Sequence, residues 1–509
     1  AVKVSNDTEV MISNAELAIR VAADNDTATN TAVADATAFE TLAALIEAYN
    51  NLANPASFTL TTGVNNFSTT RTESVSFDAS TVNSLSNGDV LSGGSATDTL
   101  TANLSNITVS VNSTGIEVFT LNVAAAGAAT LDMTDVTGLT TVNNVSSLNN
   151  LTLNNLGMLP SLDLNTNSAV TTLNFSNAAM SGGTDDLAIT LNGTTSGATI
   201  NLTSVAGSAN TIETVSVVSA SVPNTIDLNT NAVGATTVEV TGSQNLDLGT
   251  VESLVATVSA GDFTGNLTMT AGTAGTAITS GAGADILTGN AGSDNLITGD
   301  GIDTVNMTNG GDDQVNLGAG ADNLNDAENI AAADTVVGGA GSDTLTFGDN
   351  WNVGAADLAL TSGFDVIALE DDTGNNSITV GLDDTVVGAS DSDTITINGA
   401  GTNDTVTLTA AVSAGNTVIL GDDGASFTLA GNTRATIGIL DSNTADGDLS
   451  NETSTAVTLG AGDEILTGSD GQDTVNMTNG GDDNVSLGAG ADNLNDAENI
   501  GAADVIVGG

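Results

Sequence analysis

A nine-residue repeat constrains this chain more than any other feature. The aspartates that mark it at intervals of nine are Asp285, Asp294, Asp303 and Asp312, and after a break Asp334 and Asp343. Glycine-rich sequence precedes most of them, and an apolar or β-branched pair such as Ile286-Leu287 follows. The pattern fits the nonapeptide G-G-x-G-x-D-x-U-x, in which U is apolar. A flexible Gly/Asp-rich linker is the alternative, but a linker does not keep an apolar residue in phase.

The chemistry of the repeat predicts a coiled β-structure. Glycine supplies the positive φ angles of tight turns at little steric cost. The last three residues of each unit predict a short strand that directs one apolar side chain inward. We therefore predict that two nonapeptides complete one turn of a parallel β-roll. Stacked turns bring Asp carboxylates and turn carbonyls together, and such an all-oxygen environment suits a hard cation such as Ca²⁺.

The candidate metal ligands are the aspartates of these turns and of weaker, degenerate turns. They are Asp98, Asp285, Asp294, Asp303, Asp312, Asp322, Asp334, Asp343, Asp393, Asp404, Asp463, Asp473, Asp482, Asp492 and Asp504. The glycines expected to form the turns and to supply carbonyl oxygens are Gly281, Gly283, Gly292, Gly301, Gly310, Gly318, Gly320, Gly339, Gly341, Gly460, Gly462, Gly471, Gly480, Gly488 and Gly490. Together they predict several bound Ca²⁺ ions, and we predict no catalytic residue.

Charge and composition exclude several classes of function. The chain has 62 acidic residues against four basic ones, a net charge of −58, and self-repulsion of this size opposes compaction unless cations bind. A nucleic-acid partner is not expected, because phosphate contacts need Lys and Arg. The sequence contains no Cys and no His, so thiolate and imidazole ligands and His-dependent catalysis are excluded. No apolar run approaches ~18 residues, which predicts no transmembrane helix.

Changes in sequence pattern predict five segments. Residues 1–56 form a helical N-terminal segment, with a helix from Asp35 to Asn54 before Pro55; it serves either as a cap on the solenoid or as an attachment segment. The remaining segments are a metal-poor β-solenoid (57–280) with an isolated repeat-like turn near 93–98, a first calcium β-roll (281–349), a β-solenoid with degenerate repeats (350–458) and a second calcium β-roll (459–509). A β-sandwich module within 124–280 is the structural alternative.

The two predicted calcium rolls are near-duplicates. Residues 471–509 repeat residues 301–339, with 33 of 39 positions identical. Upstream of this shared part, the first roll is longer by nine residues, which is one repeat unit. Insertion of a whole unit keeps the register of inward side chains, as expected of a solenoid. The sequence stops within a repeat at Gly509, so we expect a further Gly-rich half-turn beyond it.

These motifs carry a resemblance to a known family. The nonapeptides resemble the calcium-binding RTX repeats of secreted bacterial proteins. The order of motifs from residue 58 onward also resembles the RTX-type surface-layer proteins of Gram-negative bacteria: T-L-T-T-G at 59–63, a lone G-G-x-x-x-D ending at Asp98, I-E-V-F-T-L-N-V at 116–123, a Thr/Asn-rich stretch, and then nonapeptides. The N-terminal part departs from the family, because the short segment 1–56 stands where those proteins have a much longer helical domain.

The resemblance implies both a fold and a function. It implies an all-β, elongated parallel β-solenoid or β-roll with calcium-binding turns, exported by type I secretion and located on the bacterial cell surface. The implied function is that of a non-enzymatic surface-layer (S-layer) subunit that self-assembles into a lattice or filament, with the N-terminal segment contacting cell-surface polysaccharide. The alternatives are an RTX adhesin, another secreted calcium-binding solenoid that binds ice or a surface, or an enzyme whose catalytic domain lies outside this sequence. A regular T-x-T array would favour ice binding, and the Thr spacing in the sequence is irregular.

Overall fold

Two compact units make up the chain, Ala1–Ala179 and Met180–Gly509. The computed structural model describes residues 56–124, 127–205, 210–307, 310–347, 352–353, 356–369, 377–380, 394–398, 405–408, 417–420, 426–429, 436–439, 455–459, 465–468, 473–477, 482–495 and 500–508. In these residues both units are all-β and are built as parallel β-solenoids, which confirms the predicted fold class at this level. The helix predicted from Asp35 to Asn54 lies outside the described residues.

Short strands separated by turns form the first unit. In chain order they are β1 (Ser57–Thr59), β2 (Asn66–Ser68), β3 (Ser76–Ala79), β4 (Val90–Ser92), β5 (Thr99–Asn103), β6 (Ile107–Thr114), β7 (Val118–Asn122), β8 (Ala129–Thr137), β9 (Thr141–Val145), β10 (Leu151–Leu156), β11 (Ser161–Asn165) and β12 (Val170–Phe175). The odd-numbered strands form one parallel sheet in sequence order, and the even-numbered strands form another. Each coil therefore contributes one strand to each sheet.

The second unit continues with the same kind of element. Its strands are β13 (Asp186–Asn192), β14 (Thr199–Ser204), β15 (Thr214–Ser219), β16 (Asn224–Thr225), β17 (Asp227–Asn229), β18 (Thr237–Gly242), β19 (Leu246–Thr250), β20 (Thr257–Ser259), β21 (Leu267–Thr270), β22 (Ala277–Thr279), β23 (Ile286–Thr288), β24 (Asn295–Ile297), β25 (Thr304–Asn306), β26 (Gln314–Gly320), β27 (Asn323–Asn325), β28 (Thr335–Gly341), β29 (Thr344–Phe347), β30 (Asn352–Val353), β31 (Thr361–Ser362), β32 (Val366–Leu369), β33 (Ser377–Val380), β34 (Thr394–Asn398), β35 (Thr405–Leu408), β36 (Thr417–Leu420), β37 (Ser426–Leu429), β38 (Thr436–Ile439), β39 (Thr455–Thr458), β40 (Ile465–Thr467), β41 (Asp473–Asn476), β42 (Asn484–Ser486), β43 (Asn493–Asn495) and β44 (Val505–Val507). Among the residues that the structure describes in this unit, two 3-10 helices interrupt the strands, η1 (Asn231–Val233) and η2 (Ala327–Asn329).

Most strands of the second unit belong to three parallel sheets. Sheet 1 contains β13, β15, β18, β20, β22, β24, β26, β28 and β31. Sheet 2 contains β16, β19, β21, β23, β25, β27, β29, β32, β34, β36, β38, β40, β42 and β44, and sheet 3 contains β30, β33, β35, β37, β39, β41 and β43. The strands described between residues 129 and 279 also pair in parallel, which favours the solenoid over an inserted β-sandwich.

Strand register confirms the predicted coil of two nonapeptides. In sheet 2, Leu287 of β23 lies beside Val305 of β25, two repeat units further along the chain. In sheet 1, Leu296 of β24 lies beside Val315 of β26, one position beyond two repeat units. The coil length thus increases by one residue within the first predicted roll while the strands stay in parallel register. The extra residue is accommodated in a turn.

Aliphatic side chains fill the interior in columns, one rung per coil. In the first unit one such column consists of Val109, Leu131, Leu153 and Leu173, and in the second unit another consists of Leu287, Val305, Leu324 and Leu345; each of these side chains is at most 1% exposed. The apolar residue that the nonapeptide pattern places inward is therefore buried in the structure. Burial of one such side chain contributes roughly 1.5–3 kcal/mol. In the described part of the chain, no helix has the length and hydropathy needed to cross a membrane.

Candidate metal-binding site

A ladder of buried carboxylates runs along one edge of sheet 2. The first ladder consists of Asp285, Asp303, Asp322, Asp343 and Asp365, each placed just before a strand of that sheet. The backbone N–H of Asp285 donates to Asp303 Oδ1 over 2.8 Å, and that of Asp303 donates to Asp322 Oδ1 over 2.8 Å. Two further bonds of 3.0 Å continue the series to Asp343 and Asp365. Each coil therefore receives a hydrogen-bond acceptor from the next coil along the chain.

A second, shorter ladder borders sheet 1 and consists of Asp294, Asp313 and Asp334. The N–H of Asp294 donates to Asp313 Oδ1, and the N–H of Asp313 donates to Asp334 Oδ1, both over 2.8 Å. At Asp294, Oδ1 accepts from Thr276 N and Oδ2 from Asn290 N. The second carboxylate oxygen of Asp334 accepts from Ala331 N over 2.7 Å. Backbone donors thus occupy both oxygens at two of the three rungs.

Glycine is required in these turns because their backbones stack too closely for a side chain. A Cβ added at Gly320 would lie 1.7 Å from Gly301 O, and one added at Gly341 would lie 1.6 Å from Gly320 O. Gly318 also has a left-handed φ of +90°, and its Cβ would lie 1.9 Å from Gly299 O. These distances are far below van der Waals contact. The predicted turn glycines therefore let successive turns stack, with a backbone carbonyl oxygen of one turn packed against the glycine of the next.

Two carboxylate oxygens of the first ladder fit a bound cation. Among the described residues, Asp303 Oδ2 and Asp322 Oδ2 are buried and accept no hydrogen bond. The nearby Thr298 hydroxyl donates instead to Leu317 O. A buried, ionised carboxylate with one oxygen unpaired is costly, and a hard cation held by carboxylate and carbonyl oxygens would remove that cost. No three acidic side chains converge in the described part of the chain, so carbonyl oxygens would have to supply most of the ligands.

Burial also raises the pKa values of the ladder carboxyls. Desolvation raises the pKa of Asp313 and of Asp322 from 3.8 to about 6 in each case, against the lowering effect of the backbone N–H that each carboxylate accepts. The neighbouring charges of Asp334 and Asp303, respectively, raise these pKa values further. Desolvation likewise raises the pKa values of Asp285, Asp294 and Asp303. Binding of a cation needs the ionised carboxylate and therefore competes with protonation.

Asp312 and Asp482, both predicted ligands, lie outside the ladders. The side chain of Asp312 is exposed, and its N–H donates to Ser293 Oγ, whereas Asp313 is buried in the second ladder. Asp482 is also exposed, and its neighbour Asp483 is buried and donates its N–H to Asp504 Oδ1 over 3.0 Å. At each Asp-Asp pair the ladder position is taken by the second aspartate, one residue beyond the interval of nine, because this coil has one more residue. The buried apolar residue two positions later identifies the right one.

In the first unit, Asp98 is a buried cap whose oxygens are both engaged by backbone. Its Oδ1 accepts from Val75 N over 2.7 Å, and its Oδ2 accepts from Gly94 N over 2.5 Å. Its own N–H donates to Glu117 Oε2 over 2.8 Å. The ladder arrangement therefore recurs here with a glutamate, and Glu213 accepts the N–H of Asp185 in the same way in the second unit. An acidic residue between a buried apolar residue and a strand is the sequence signal for this role, and it also marks Asp365.

Some of the remaining predicted ligands lie within the described residues, and the others lie outside them. Asp492 and Asp504 are half-buried, and Asp504 Oδ2 accepts from Gly501 N. Gly292, Gly310, Gly488 and Gly490 lie in turns; a Cβ at Gly292 would lie 2.1 Å from Gly275 N. Asp473 begins β41, but its side chain is not among those described, and the residues outside the described ranges are Asp393, Asp404, Asp463, Gly460, Gly462, Gly471 and Gly480.

The chain matches no protein-family model, no curated protein and no solved structure. Function must therefore be inferred from the ladders, the glycine turns and the two buried carboxylate oxygens. These features lie in coils where strands such as β23, β24 and β25 have only three residues each, so most of each coil is turn. The groups available to bind a ligand are consequently the carboxylates and backbone groups of the stacked turns.

Proposed function

We propose that this chain is a calcium-binding structural solenoid, a subunit of a bacterial extracellular surface layer that self-assembles into a lattice or filament. The observation that carries the calcium assignment is the first ladder, in which Asp303 and Asp322 each bury a carboxylate oxygen without a donor inside glycine turns. Ca²⁺ accepts six to eight oxygen ligands in flexible geometry, which suits turns rich in carbonyls. Because the turns repeat, the two ladders and the second predicted calcium β-roll (459–509) would together bind several such ions.

Calcium coupling accounts for the charge of the chain. With a net charge of −58, the metal-free chain repels itself, and bound divalent ions offset the carboxylates. Extracellular calcium modules have dissociation constants on the order of 10⁻⁴ to 10⁻³ M. Binding to a site that is absent from the unfolded chain adds directly to folding free energy. The ladder region would therefore fold outside the cell rather than at cytosolic calcium, as suits a secreted protein.

The same proposal assigns the chain a non-catalytic role. Its sequence contains neither His nor Cys, and its ladder carboxylates are engaged with backbone in turns. Parallel sheets offer broad faces of short polar side chains for contacts between copies. We assign attachment to the N-terminal segment, residues 1–56, with cell-surface polysaccharide as its ligand.

A secreted adhesin or ice-binding solenoid is the second candidate, and one observation favours it. Thr108, Thr130, Thr152 and Thr172 lie side by side on the even-numbered sheet of the first unit. The last of their three intervals in the sequence is shorter than the first two, yet they form one column because the turns absorb the difference. The irregular spacing of Thr in the sequence therefore does not exclude a regular array on the fold.

Electron microscopy of the full chain tests the proposal. With millimolar Ca²⁺ we expect a lattice or filaments that disappear with chelator. The Asp303→Asn variant should need roughly 10-fold more Ca²⁺ for assembly, because a ligand charge is lost. The control variant Asp163→Asn, which removes the same charge from a strand of the first unit, should assemble like the wild type. A monomer at every Ca²⁺ concentration contradicts the structural role, and hydrolytic activity of the purified chain contradicts the non-catalytic one.

A further inference from the structure

The first described coil of the first unit carries a cluster of aromatic side chains. The ring of Phe58 in β1 stacks on those of Phe67 in β2 and Phe77 in β3, with centroids 4.9 Å and 5.2 Å away. Five of the twelve aromatic residues of the chain lie between Phe39 and Phe77. The rest of the described interior is largely aliphatic. Bulky rings are therefore concentrated at this end of the unit, which we call the aromatic end (Phe58, Phe67 and Phe77).

At the aromatic end, apolar side chains of the interior are less buried than elsewhere in the unit. Phe58 is the first member of an inward column that continues with Phe77, Leu100 and Phe119. Those three side chains are 0% exposed, whereas Phe58 and Phe67 are only half-buried. Among the described residues, the later rungs have a coil on both sides and the first rung has one on one side. Phe58 and Phe67 therefore present apolar surface on the outer side of the first coil.

The aromatic end also carries two sheet edges. Among the described strands, β1 pairs with β3 alone and β2 pairs with β4 alone. An edge strand offers unpaired N–H and C=O groups to another chain. Repeat proteins accordingly need a terminal element with a polar outer face. Apolar rings beside two sheet edges would make this end a site of association unless another element covers it.

The sequence places a suitable covering element directly before β1. The helix predicted from Asp35 to Asn54, here called the N-terminal helix, lies outside the described residues. Its apolar positions fall on one face and are Phe39, Leu42, Leu45, Ile46, Tyr49 and Leu52. The opposite face carries Glu40, Glu47 and Asn51. A helix with one apolar face must bury that face against another element and can leave its polar face in solvent.

Chain connectivity keeps the N-terminal helix at the aromatic end. Pro55 and Ala56 alone separate Asn54 from Ser57, the first residue of β1, so these two Cα atoms lie within about 11 Å of each other. A helix of about 20 residues is about 30 Å long and about 10 Å wide, and packed sheets lie about 10 Å apart. One helix can therefore cover the rings and both sheet edges. The short link also gives it a far higher local concentration than a second molecule has.

We propose that the N-terminal helix packs its apolar face on the aromatic end and closes the first unit there. This contact does not rest on the proposed function, but its effect on assembly does. In an assembling chain it leaves residues 1–34 for attachment and blocks end-to-end association through β1 and β2. Glu40 and Glu47 on the outer face add to the repulsion of a second acidic chain. Copies would therefore join through other surfaces.

Tyr49 reports on the contact, because it is the only tyrosine of the chain and belongs to the apolar face of the N-terminal helix. Nitration of the full-length protein with tetranitromethane in the presence of Ca²⁺ measures its accessibility. We expect Tyr49 to react at least ~10-fold more slowly in the wild type than in Leu45→Asp, which places a charge on the same face. The control Ala44→Asp, with the same charge on the opposite face, should react like the wild type.

A second pair of variants identifies the surface that protects Tyr49. Phe58→Asp should expose Tyr49 as Leu45→Asp does, whereas Leu148→Asp should not, because Leu148 is already 67% exposed in a turn of the same unit. Hydrogen exchange of β8 and β10 checks that each variant keeps its fold. Rapid nitration of the wild type, or protection that survives Phe58→Asp, would overturn the proposal. Protection that is lost on dilution would assign the aromatic end to a second copy and overturn it as well.

Electron microscopy of Leu45→Asp separates the contact from the proposed function. We expect this variant to form end-to-end chains that the wild type and Ala44→Asp do not form, with an unchanged calcium midpoint. If the wild type never assembles but Tyr49 is protected, the proposed function fails and the contact stands. If the wild type assembles while Tyr49 reacts freely, the contact is wrong and the proposed function stands.

Discussion

The first unit and the ladder coils, residues 281–347, close the same kind of parallel coil with different turn chemistry. In the first unit neutral carboxamides bridge successive turns: Asn83 and Ser105 exchange two hydrogen bonds of 2.9 Å. Asn122 Nδ2 likewise donates to Val145 O over 2.6 Å. In the ladder coils, by contrast, a carboxylate caps the backbone of the preceding coil at every rung. The first unit thus combines carboxamide bridges with the isolated Asp98–Glu117 rung, whereas the ladder coils stack carboxylates at successive rungs.

This difference in turn chemistry predicts which region of the fold would depend on bound cations. A carboxamide supplies donor and acceptor together and needs no counterion. A ladder of carboxylates places like charges one coil apart in a buried setting, where each raises the pKa of the next. We therefore expect the stability of the ladder coils to depend on protons or cations, and the stability of the carboxamide-closed coils to depend on them much less. Calcium dependence should be a property of one region rather than of the whole chain.

The largest effect of a single substitution is expected at a stacked glycine. Gly318→Ala combines a left-handed φ of +90° with a Cβ 1.9 Å from Gly299 O, so the backbone must move. We expect the ladder coils to lose at least about 2 kcal/mol of stability against local opening, even with saturating Ca²⁺. Hydrogen exchange of amides in β24 and β28 measures the loss.

A matched control for this substitution lies in the first unit. A Cβ at Gly157 would meet nothing within 4 Å, and Gly157 is exposed. Gly157→Ala should change the stability of its coil by less than about 1 kcal/mol. Equal losses at the two positions would show that close stacking of the turns does not determine where glycine is required.

Without Ca²⁺, a rise in pH should have a smaller effect on stability, and the effect should have opposite signs in the ladder coils and in the first unit. The pKa values of Asp313 and Asp322 rise from 3.8 to about 6 on folding, so each stabilises the fold at pH 4 and loses that contribution as pH rises through 6. Solvent around the turns screens part of this contribution, which leaves roughly 1 kcal/mol per group. In the first unit, hydrogen bonds lower the pKa values of Asp78 and Asp132, whose contribution is present above pH 4 and lost on acidification.

Region-resolved hydrogen exchange, corrected for intrinsic rates, measures this pH effect. Between pH 4 and pH 7 the metal-free ladder coils should become less protected, while the first unit stays the same or gains slightly. Saturating Ca²⁺ should reverse the trend in the ladder coils, because the ion binds the ionised carboxylates. Ladder coils that gain protection as pH rises in chelator would show that the pKa values of their carboxyls are not raised by burial.

Periodicity in the sequence was sufficient to predict the coil and its inward residues. The D-x-U spacing places Leu287 and Leu296 inward, and both are buried. The pairing of Leu287 with Val305 also follows from a coil of two nonapeptides. These predictions hold because side chains alternate along a strand, so that only the middle residue of each three-residue strand points inward.

What the sequence did not predict depends on how turns absorb extra residues. Asp312 keeps the interval of nine, but a longer coil moves the ladder position to Asp313. The threonine column was missed for the same reason, because coils of unequal length still stack in register. The use of Glu117 as a rung was also unexpected, since the nonapeptide pattern specifies aspartate. The number of residues in the turns varies from coil to coil, so turn positions do not recur at a fixed interval in the sequence.

Calcium-dependent hydrogen exchange of the intact chain tests the central claim most directly. Amides of the ladder coils and of the first unit are followed from chelator to millimolar Ca²⁺ at pH 7. We predict that ladder-coil strands such as β25 and β27 gain protection of roughly 100-fold or more, about 2.7 kcal/mol, as expected when the ion exceeds its dissociation constant ~100-fold. Strands β8 and β10 of the first unit should change less than about threefold. Equal responses in both regions, or none in the ladder coils, would contradict the account.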